Sequence, residues 1–213
     1  MKTEELIELL AADTTPVQPR ALEQRFALAT LVGLLGSSVL LLALFGIRPD
    51  LEATMVNPMF WAKLLFAATL ATAGLLLLRK LSRPGVAVHQ TPWLLAVPVL
   101  AVWVAAVMAL WGAPPEARLP LVLGSTWRTC PFNIAALSAP ALAAGLWALR
   151  GGAPTHLAAA GATAGAFAGG LAAMVYALHC PEMAAPFLAV WYVAGMAIPT
   201  AAGAWLGPRM LHW

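Results

Sequence analysis

Residues 26–47 read FALATLVGLLGSSVLLLALFGI, a run of 22 residues that contains no Asp, Glu, Lys or Arg. A helix needs about 20 apolar residues to cross about 30 Å of hydrocarbon. The run is continuously apolar, whereas the strands of a membrane barrel alternate apolar and polar residues. It therefore predicts a membrane-spanning helix.

Five further runs of similar character follow, and the breaks between them contain Pro and Gly residues that favour turns. Together the six runs cover residues 26–47, 59–78, 93–111, 130–149, 156–178 and 187–206. The sequence thus predicts an all-α, polytopic membrane protein. Its six transmembrane helices form one domain, residues 26–213, which a tail of residues 1–25 precedes.

The overall composition indicates the same class of protein. Hydrophobic residues make up 62% of the 213 residues and charged residues 10%, whereas soluble domains carry about 45–50% and about 25%. A soluble fold of this size cannot hide so much apolar surface. A soluble enzyme and a disordered chain are excluded, and two cysteines are too few for a disulfide-rich secreted domain. The net charge of +3 gives no indication of nucleic-acid binding.

Lys and Arg predict the orientation, because cytoplasmic loops carry more of them. With the N-terminus inside, eight lie on the cytoplasmic side: Lys2, Arg20, Arg25, Arg79, Lys80, Arg83, Arg150 and Arg209. Three lie outside: Arg48, Arg118 and Arg128. We therefore expect both termini in the cytoplasm. Lys63, in the second run, is expected to extend its ammonium to the outer interface. No Asp or Glu lies within a run, which argues against an ion-coupled transporter.

The tail begins with a pattern typical of a short amphipathic helix. Its acidic residues are Glu4, Glu5 and Glu8, and its apolar stripe consists of Leu6, Ile7, Leu9 and Leu10. A helix this short needs a surface that covers its stripe, and an acidic helix is poorly suited to anionic lipid. We therefore expect it to bind a groove on a partner protein with a basic surface, and residues 14–19 to form a linker. A solvated tail is the alternative.

Cys130 begins the fourth run and Cys180 follows the fifth, so the predicted topology places both at the outer membrane face. The two helices are sequential and antiparallel, so the thiols can approach within disulfide range or hold one thiophilic metal ion. His179 and Arg128 are candidates for favouring a thiolate. A static structural disulfide and buried, unpaired thiols are the alternatives.

Other chemistry-bearing patterns are few. No HExxH, P-loop or Rossmann glycine pattern occurs, and the histidines are scattered, so we predict neither a catalytic residue nor an obligatory cofactor. Gly161, Gly165 and Gly169 recur at four-residue intervals on one helix face. Such a face favours close helix packing, within the bundle or in a dimer, over a substrate groove.

The chain contains several short motifs in a fixed order. They are MKTEELI at 1–7, LLAAD at 9–13, RPDL at 48–51, FW at 60–61, CP at 130–131, SAP at 138–140, HCP at 179–181, Phe187, VWY at 190–192 and GPRMLHW at 207–213. The chain resembles the NrsF-type family of six-span anti-sigma factors in these motifs, in the spacing between them and in its overall length. The members of that family are bacterial inner-membrane proteins.

The resemblance implies a function that composition alone does not indicate. Members of this family hold an extracytoplasmic-function (ECF) sigma factor inactive through the cytosolic tail. The resemblance also implicates Cys130 and Cys180 in sensing oxidative or heavy-metal stress, with a thiophilic metal ion as a signal and not as a cofactor. It implies that the sigma factor, and not nucleic acid, is the direct partner.

Two other functions are compatible with the cysteine pair. A membrane thiol–disulfide oxidoreductase normally needs a second redox pair or a CxxC motif, and the chain has neither. A heavy-metal permease needs thiols along its pathway, including the inner side, where the chain has none. Quinone reduction would indicate the first function and metal uptake into vesicles the second.

Overall fold

The computed structural model describes residues 3–12, 20–85 and 93–211, and this part of the chain contains helices and no strand. The helices are α1 (Thr3–Ala12), α2 (Ala21–Leu44), α3 (Leu51–Met55), α4 (Pro58–Leu81), α5 (Trp93–Gly112), α6 (Pro115–Leu123), α7 (Cys130–Leu137), α8 (Ala139–Leu149), α9 (Leu157–Tyr176), α10 (Ala185–Phe187) and α11 (Val193–Met210). A π-helical segment, Leu188–Tyr192, joins α10 to α11.

The prediction of an all-helical chain is confirmed in this described part. Five continuous helical stretches are long and apolar enough to cross a membrane, namely α2, α4, α5, α9 and the stretch Ala185–Met210. Helices α7 and α8 together are also long and apolar enough to cross a membrane, so they make a sixth candidate if the two count as one bent span. The six predicted runs therefore correspond to five or six candidate spans.

The helices extend beyond several of the apolar runs, and one run is bent. Helix α2 begins at Ala21 and not at residue 26, because helical geometry continues through the polar residues before the run; there Arg25 stacks on Trp147, with its guanidinium carbon 5.3 Å from the ring centroid. The fourth run is bent by 41° between α7 and α8. Pro140 lies in the first turn of α8 and has no N–H for the preceding turn, so the helix breaks there.

Helix α9 lies at the centre of the bundle, and 78% of its 18-residue apolar stretch is buried. Its glycine face meets α11: a Cβ added at Gly161 would overlap the Gly203 carbonyl oxygen, and one at Gly165 the Pro199 carbonyl oxygen. On another side of α9, a Cβ at Gly170 would lie 2.5 Å from the backbone nitrogen of Ala71 in α4. The prediction of close packing is confirmed, and α11 covers the face that was also considered for a dimer.

Helices α2 and α5 lie at the periphery. Only 22% of the 18-residue apolar stretch of α2 is buried, and only 6% of that of α5. Helix α5 exposes Trp103, Val107 and Met108. Apolar side chains that face outward are expected of helices in contact with lipid.

The two ends of the bundle are chemically distinct. At one end, here called the cysteine end, α4 begins, α9 ends and α7 begins with Cys130. At the opposite end, Ala153 N donates to Ser82 O at 2.9 Å, and Arg150 Nε donates to Met210 O at 3.0 Å. Helix α2 starts at this opposite end, where Arg25 lies next to Gly151.

The predicted N-terminal helix is present as α1, which exposes Glu4, Glu5, Ile7 and Glu8. The side chains of Leu6, Leu9 and Leu10 lie outside the described residues, as do the predicted linker at 14–19 and His89 and His212. The predicted apolar stripe is therefore described at Ile7, which is 60% exposed.

Candidate functional site

The structure brings Cys130 and Cys180 together at the cysteine end. Both are free cysteines, both are 0% exposed, and their side chains interact within the same buried cluster. They are called the thiol pair below. Two thiols in contact can be oxidised to a disulfide or can bind one thiophilic metal ion, and neither group needs to travel far to react.

Local backbone structure fixes Cys130 at the start of α7. Its N–H donates to Thr126 O at 2.9 Å, which ends the turn that precedes the helix. Pro131 follows in the first turn of α7, where its missing N–H costs nothing because first-turn N–H groups have no helical partner. The proline therefore starts the helix at the cysteine.

Cys180 lies in the loop between α9 and α10, residues 177–184, and hydrogen bonds from several elements hold this loop. Cys180 N donates to Tyr176 O at 3.0 Å, and Arg48 N donates to Leu178 O at 3.2 Å. The Glu182 carboxylate accepts hydrogen bonds from the N–H and the hydroxyl of Ser125, both at 2.7 Å. The last two bonds tie the Cys180 loop to the segment that leads to Cys130.

Lys63 is a central component of this site, and the expectation that its side chain reaches the outer interface is wrong. The side chain is 0% exposed. Its ammonium donates to the carbonyl oxygens of Cys180 at 2.9 Å and Glu182 at 3.0 Å, and it lies 5.1 Å from the centroid of the Tyr192 ring. A buried ammonium is tolerated only when such partners replace water. Here the α9–α10 loop folds over α4 and supplies them.

Aromatic residues close the pocket around the thiol pair. Tyr192, which ends the π-helical segment, is 0% exposed. Its hydroxyl is buried and has no hydrogen-bond partner among the described residues. Its ring centroid is 6.1 Å from that of Tyr176, whose hydroxyl accepts a hydrogen bond from Asn133 Nδ2 at 3.3 Å. Single π-helical turns within a helix are frequent at functional sites, and this one ends at Tyr192, which is buried in the same cluster as the thiol pair.

The electrostatics of the pocket distinguish the two sulfurs. The neighbouring Cys130 side chain lowers the pKa of the Cys180 thiol. The Lys63 ammonium and the backbone N–H of Glu182 also lower this pKa, whereas burial opposes them. The groups that stabilise negative charge therefore converge on Cys180.

The residues expected to modulate the thiols have other contacts. His179 Nδ1 is 3.1 Å from Gly46 O, and its ring packs between Phe45 and Tyr176. Arg128 stacks on Trp127 at 5.0 Å. The cations that approach Cys180 are Lys63 and Arg48, whose NH1 group is 3.4 Å from Cys180 O. His179 supports the Cys180 loop from its neighbouring position.

A metal ion at this site would have few protein ligands. In residues 3–12, 20–85 and 93–211 no group of three or more His, Cys, Asp or Glu side chains has the arrangement of a metal site. The two sulfurs are the donors that the pocket offers, which suits a soft ion with low coordination number and not a closed zinc site.

Two residues of the site, Lys63 and Glu182, were not predicted from the sequence, and the sequence carries a signal for the first of them. Lys63 is the one charged residue well inside the six runs, and intramembrane charge indicates function. Glu182 follows the HCP motif, but its partner Ser125 lies 57 positions away. That pairing depends on the tertiary fold and has no local signature.

The fold and the site together define a helical bundle with several helices long and apolar enough to cross a membrane and a buried thiol pair at one end. Among known families, the model described as "Negative regulator of sigma F" matches residues 10–213. The chain therefore belongs to the NrsF family, as its resemblance indicated, and this is a family of regulatory proteins and not of enzymes.

Two curated relatives match over the full length of both chains. The probable anti-sigma-F factor NrsF of Azospira oryzae is 46% identical over 213 residues. The anti-sigma-F factor NrsF of Caulobacter vibrioides is 39% identical over 219 residues. No solved structure matches the chain. The partner that membership of this family implies is a sigma factor.

Proposed function

We propose that the protein is an inner-membrane anti-sigma factor that sequesters an ECF sigma factor through its N-terminal tail. Both termini lie in the cytoplasm, residues 1–25 form the partner-binding segment, and residues 26–213 form the membrane domain. The thiol pair lies at the periplasmic face, and its reaction with an oxidant or a thiophilic metal ion releases the sigma factor. The observation that carries the proposal is the contact between the two free, buried thiols in a member of the NrsF family.

The chemistry of α1 supports its assignment as the segment that binds the sigma factor. Glu4 and Glu5 lie in its first turn, where they also interact favourably with the helix dipole. The side chain of Ile7 is 60% exposed and lies between acidic residues. An exposed apolar residue flanked by carboxylates fits an apolar groove with a basic rim. Sigma factors bind DNA and therefore carry basic surfaces.

The periplasm supplies the environment that the thiol pair requires. Outside the inner membrane, thiols encounter oxidants and metal ions before cytoplasmic reductants act on them. Helix α4 has 24 residues, or about 36 Å at the helical rise, so one helix runs between the cysteine end and the opposite end. It contacts the Cys180 loop through Lys63 at one end, and its C-cap residue Ser82 contacts the 150–156 loop at the other.

The tail assignment is tested by capture of sigma factors from cell membranes with the full chain. We expect Ile7→Glu to reduce the amount of captured sigma factor by about tenfold or more, because burying a carboxylate in an apolar groove removes a central contact. The matched control is Ala12→Glu, since residue 12 is exposed and lies about 140° around the same helix. This control should change capture by less than about twofold.

A chain that lacks residues 1–13 provides the complementary test. It should enter the membrane and capture no sigma factor. Equal capture by this chain and the intact protein would contradict the tail assignment. Failure of the intact, folded protein to capture any sigma factor would contradict the proposed function itself.

A further inference from the structure

Lys63 is a buried cation with an unusual set of partners. In the part of the chain that the structure describes, no carboxylate lies within salt-bridge distance of its ammonium. Its hydrogen-bond acceptors are the carbonyl oxygens of Cys180 and Glu182, which flank Pro181 in the Cys180 loop. A positive charge buried without a carboxylate is costly. Its position beneath the thiol pair therefore requires an explanation beyond stability.

We propose that Lys63 is the positioning residue of the thiol pair: it holds the Cys180 loop on α4 and makes Cys180 the sulfur that reacts first with a hydroperoxide, with Cys130 reacting second. This inference rests on the proposed redox function and adds to it the order of reaction and the residue that sets this order. It also connects the thiol pair to α4, the helix that reaches the opposite end of the bundle.

The geometry around the sulfurs supports this order. Two cations lie against Cys180: Lys63 Nζ is 2.9 Å and Arg48 NH1 is 3.4 Å from its carbonyl oxygen. The buried ammonium of Lys63 therefore places a positive charge beside the Cys180 thiol. Such surroundings favour negative charge on sulfur and hence nucleophilic attack.

One feature favours the opposite order. Cys130 begins α7, and the positive end of a helix dipole stabilises a thiolate at that position. Helix α7 has only eight residues, and the ammonium of Lys63 is a full charge, so we expect the contacts at Cys180 to prevail. The reaction rates of the two cysteines therefore show whether the contacts at Cys180 or the helix dipole at Cys130 sets the order.

The proposed reaction balances with hydrogen peroxide as the oxidant. The Cys180 sulfur attacks one peroxide oxygen, the S–O bond forms, the O–O bond breaks, and the leaving hydroxide takes the thiol proton to become water. The Cys130 sulfur then attacks the Cys180 sulfenic acid. The S–S bond forms, the S–O bond breaks, and the departing hydroxide leaves as water with the Cys130 proton. The two sulfurs lose two electrons in total, and the peroxide gains them.

The order of reaction is tested with single-thiol variants of the full-length protein in detergent micelles. The variant Cys130→Ser retains a hydroxyl that can donate to Cys180, and Cys180→Ser leaves only Cys130. Each is treated with hydrogen peroxide, and the sulfenic acid is trapped with dimedone and measured by mass spectrometry over time. We expect Cys180 to be labelled about tenfold faster than Cys130. Equal rates, or faster labelling of Cys130, would overturn the inference.

The role of Lys63 is tested by adding Lys63→Met to both single-thiol proteins. The rate ratio should fall to within about twofold of one. Lys63→Arg, which keeps the charge and the donors, should return the ratio to within about threefold of its original value. Lys80→Met is the matched control on the exposed, opposite end of α4, and it should leave the ratio unchanged. A ratio that survives Lys63→Met in folded protein would overturn the role of Lys63.

These labelling rates do not depend on a sigma factor. If Cys180 is not favoured while the intact chain still captures a sigma factor through its tail, this inference fails and the proposed function stands. If Lys63→Met does not fold, Lys63→Gln takes its place, since it keeps a hydrogen-bond donor and lacks the charge: a ratio within about twofold of one supports the role of Lys63, and a ratio that survives overturns it.

Discussion

The contact between α9 and α11 and the thiol pair are both fully buried, but they differ in composition. The first consists of glycine backbone packed against glycine and proline backbone, at Gly161, Gly165 and Gly203. The second contains a cation, two thiols and two tyrosines at van der Waals and hydrogen-bond distances. Close apolar packing stabilises a helical bundle at little cost, whereas buried polar groups are expensive and are retained where they have a function.

This comparison predicts that the two regions respond differently to substitution. A change in the glycine contact should affect folding of the whole bundle. A change at the cysteine end should affect the reactivity of the thiols more than the stability of the fold.

The largest effect is expected for Gly165→Ala. The added Cβ would overlap the Pro199 carbonyl oxygen, so α9 and α11 must separate along their length. We expect a loss of more than about 3 kcal/mol in the free energy of unfolding. Thermal unfolding in detergent, followed by size-exclusion chromatography, measures it.

The control is the same substitution at Gly112, where nothing lies within 4 Å of the added atom. It should change the free energy of unfolding by less than about 0.5 kcal/mol. If the two variants unfold alike, the contact between α9 and α11 is not the close packing described above.

An intermediate effect is expected for Glu182→Ala. The substitution removes two hydrogen bonds from Ser125, both 2.7 Å long, which join the Cys180 loop to the segment before Cys130. Hydrogen bonds at partly exposed positions contribute about 1 kcal/mol each, so we expect a loss of about 1–2 kcal/mol. The rate at which Cys180 is alkylated should rise at the same time, because the loop opens more often.

Glu116→Ala serves as the control for this variant, since Glu116 is exposed in α6, near the same end of the bundle. It should leave both unfolding and alkylation unchanged. If Glu182→Ala changes unfolding without changing the alkylation rate, the loop does not control access to the thiol pair.

The smallest effect is expected for Ser37→Ala in α2. The Ser37 hydroxyl is buried and donates to Leu137 O at 2.8 Å, beside the break between α7 and α8. Its loss should cost about 1 kcal/mol, measured by the same unfolding assay. The thiol labelling rates should stay at their original values, and a change of more than about threefold would show that the two regions are not independent.

Most of the fold was accessible from the sequence because spanning helices have a strong local signal. Apolar runs identify where helices lie, and the four-residue glycine spacing identifies the packed face of α9. The bend at Ser138 was missed, although Pro140 carries a signal for it. The helix α6, Pro115–Leu123, was also missed, because its apolar content is interrupted by Glu116 and Arg118.

The site was only partly accessible from the sequence. The meeting of Cys130 and Cys180 followed from two sequential antiparallel helices. The position of Lys63 did not, because snorkelling to the interface and turning inward are both open to a lysine near a helix end. The choice depends on the carbonyls of Cys180 and Glu182, which lie more than a hundred positions along the chain. Contacts at that separation are set by tertiary packing and leave no local pattern.

We propose that the chemical state of the thiol pair controls retention of the sigma factor. Membranes that contain the full-length protein with captured sigma factor are treated with hydrogen peroxide and then sedimented. We expect sigma factor to move to the supernatant for the unsubstituted protein and to stay with the membranes for Cys180→Ser. Equal release from both proteins, or release from neither, would contradict it.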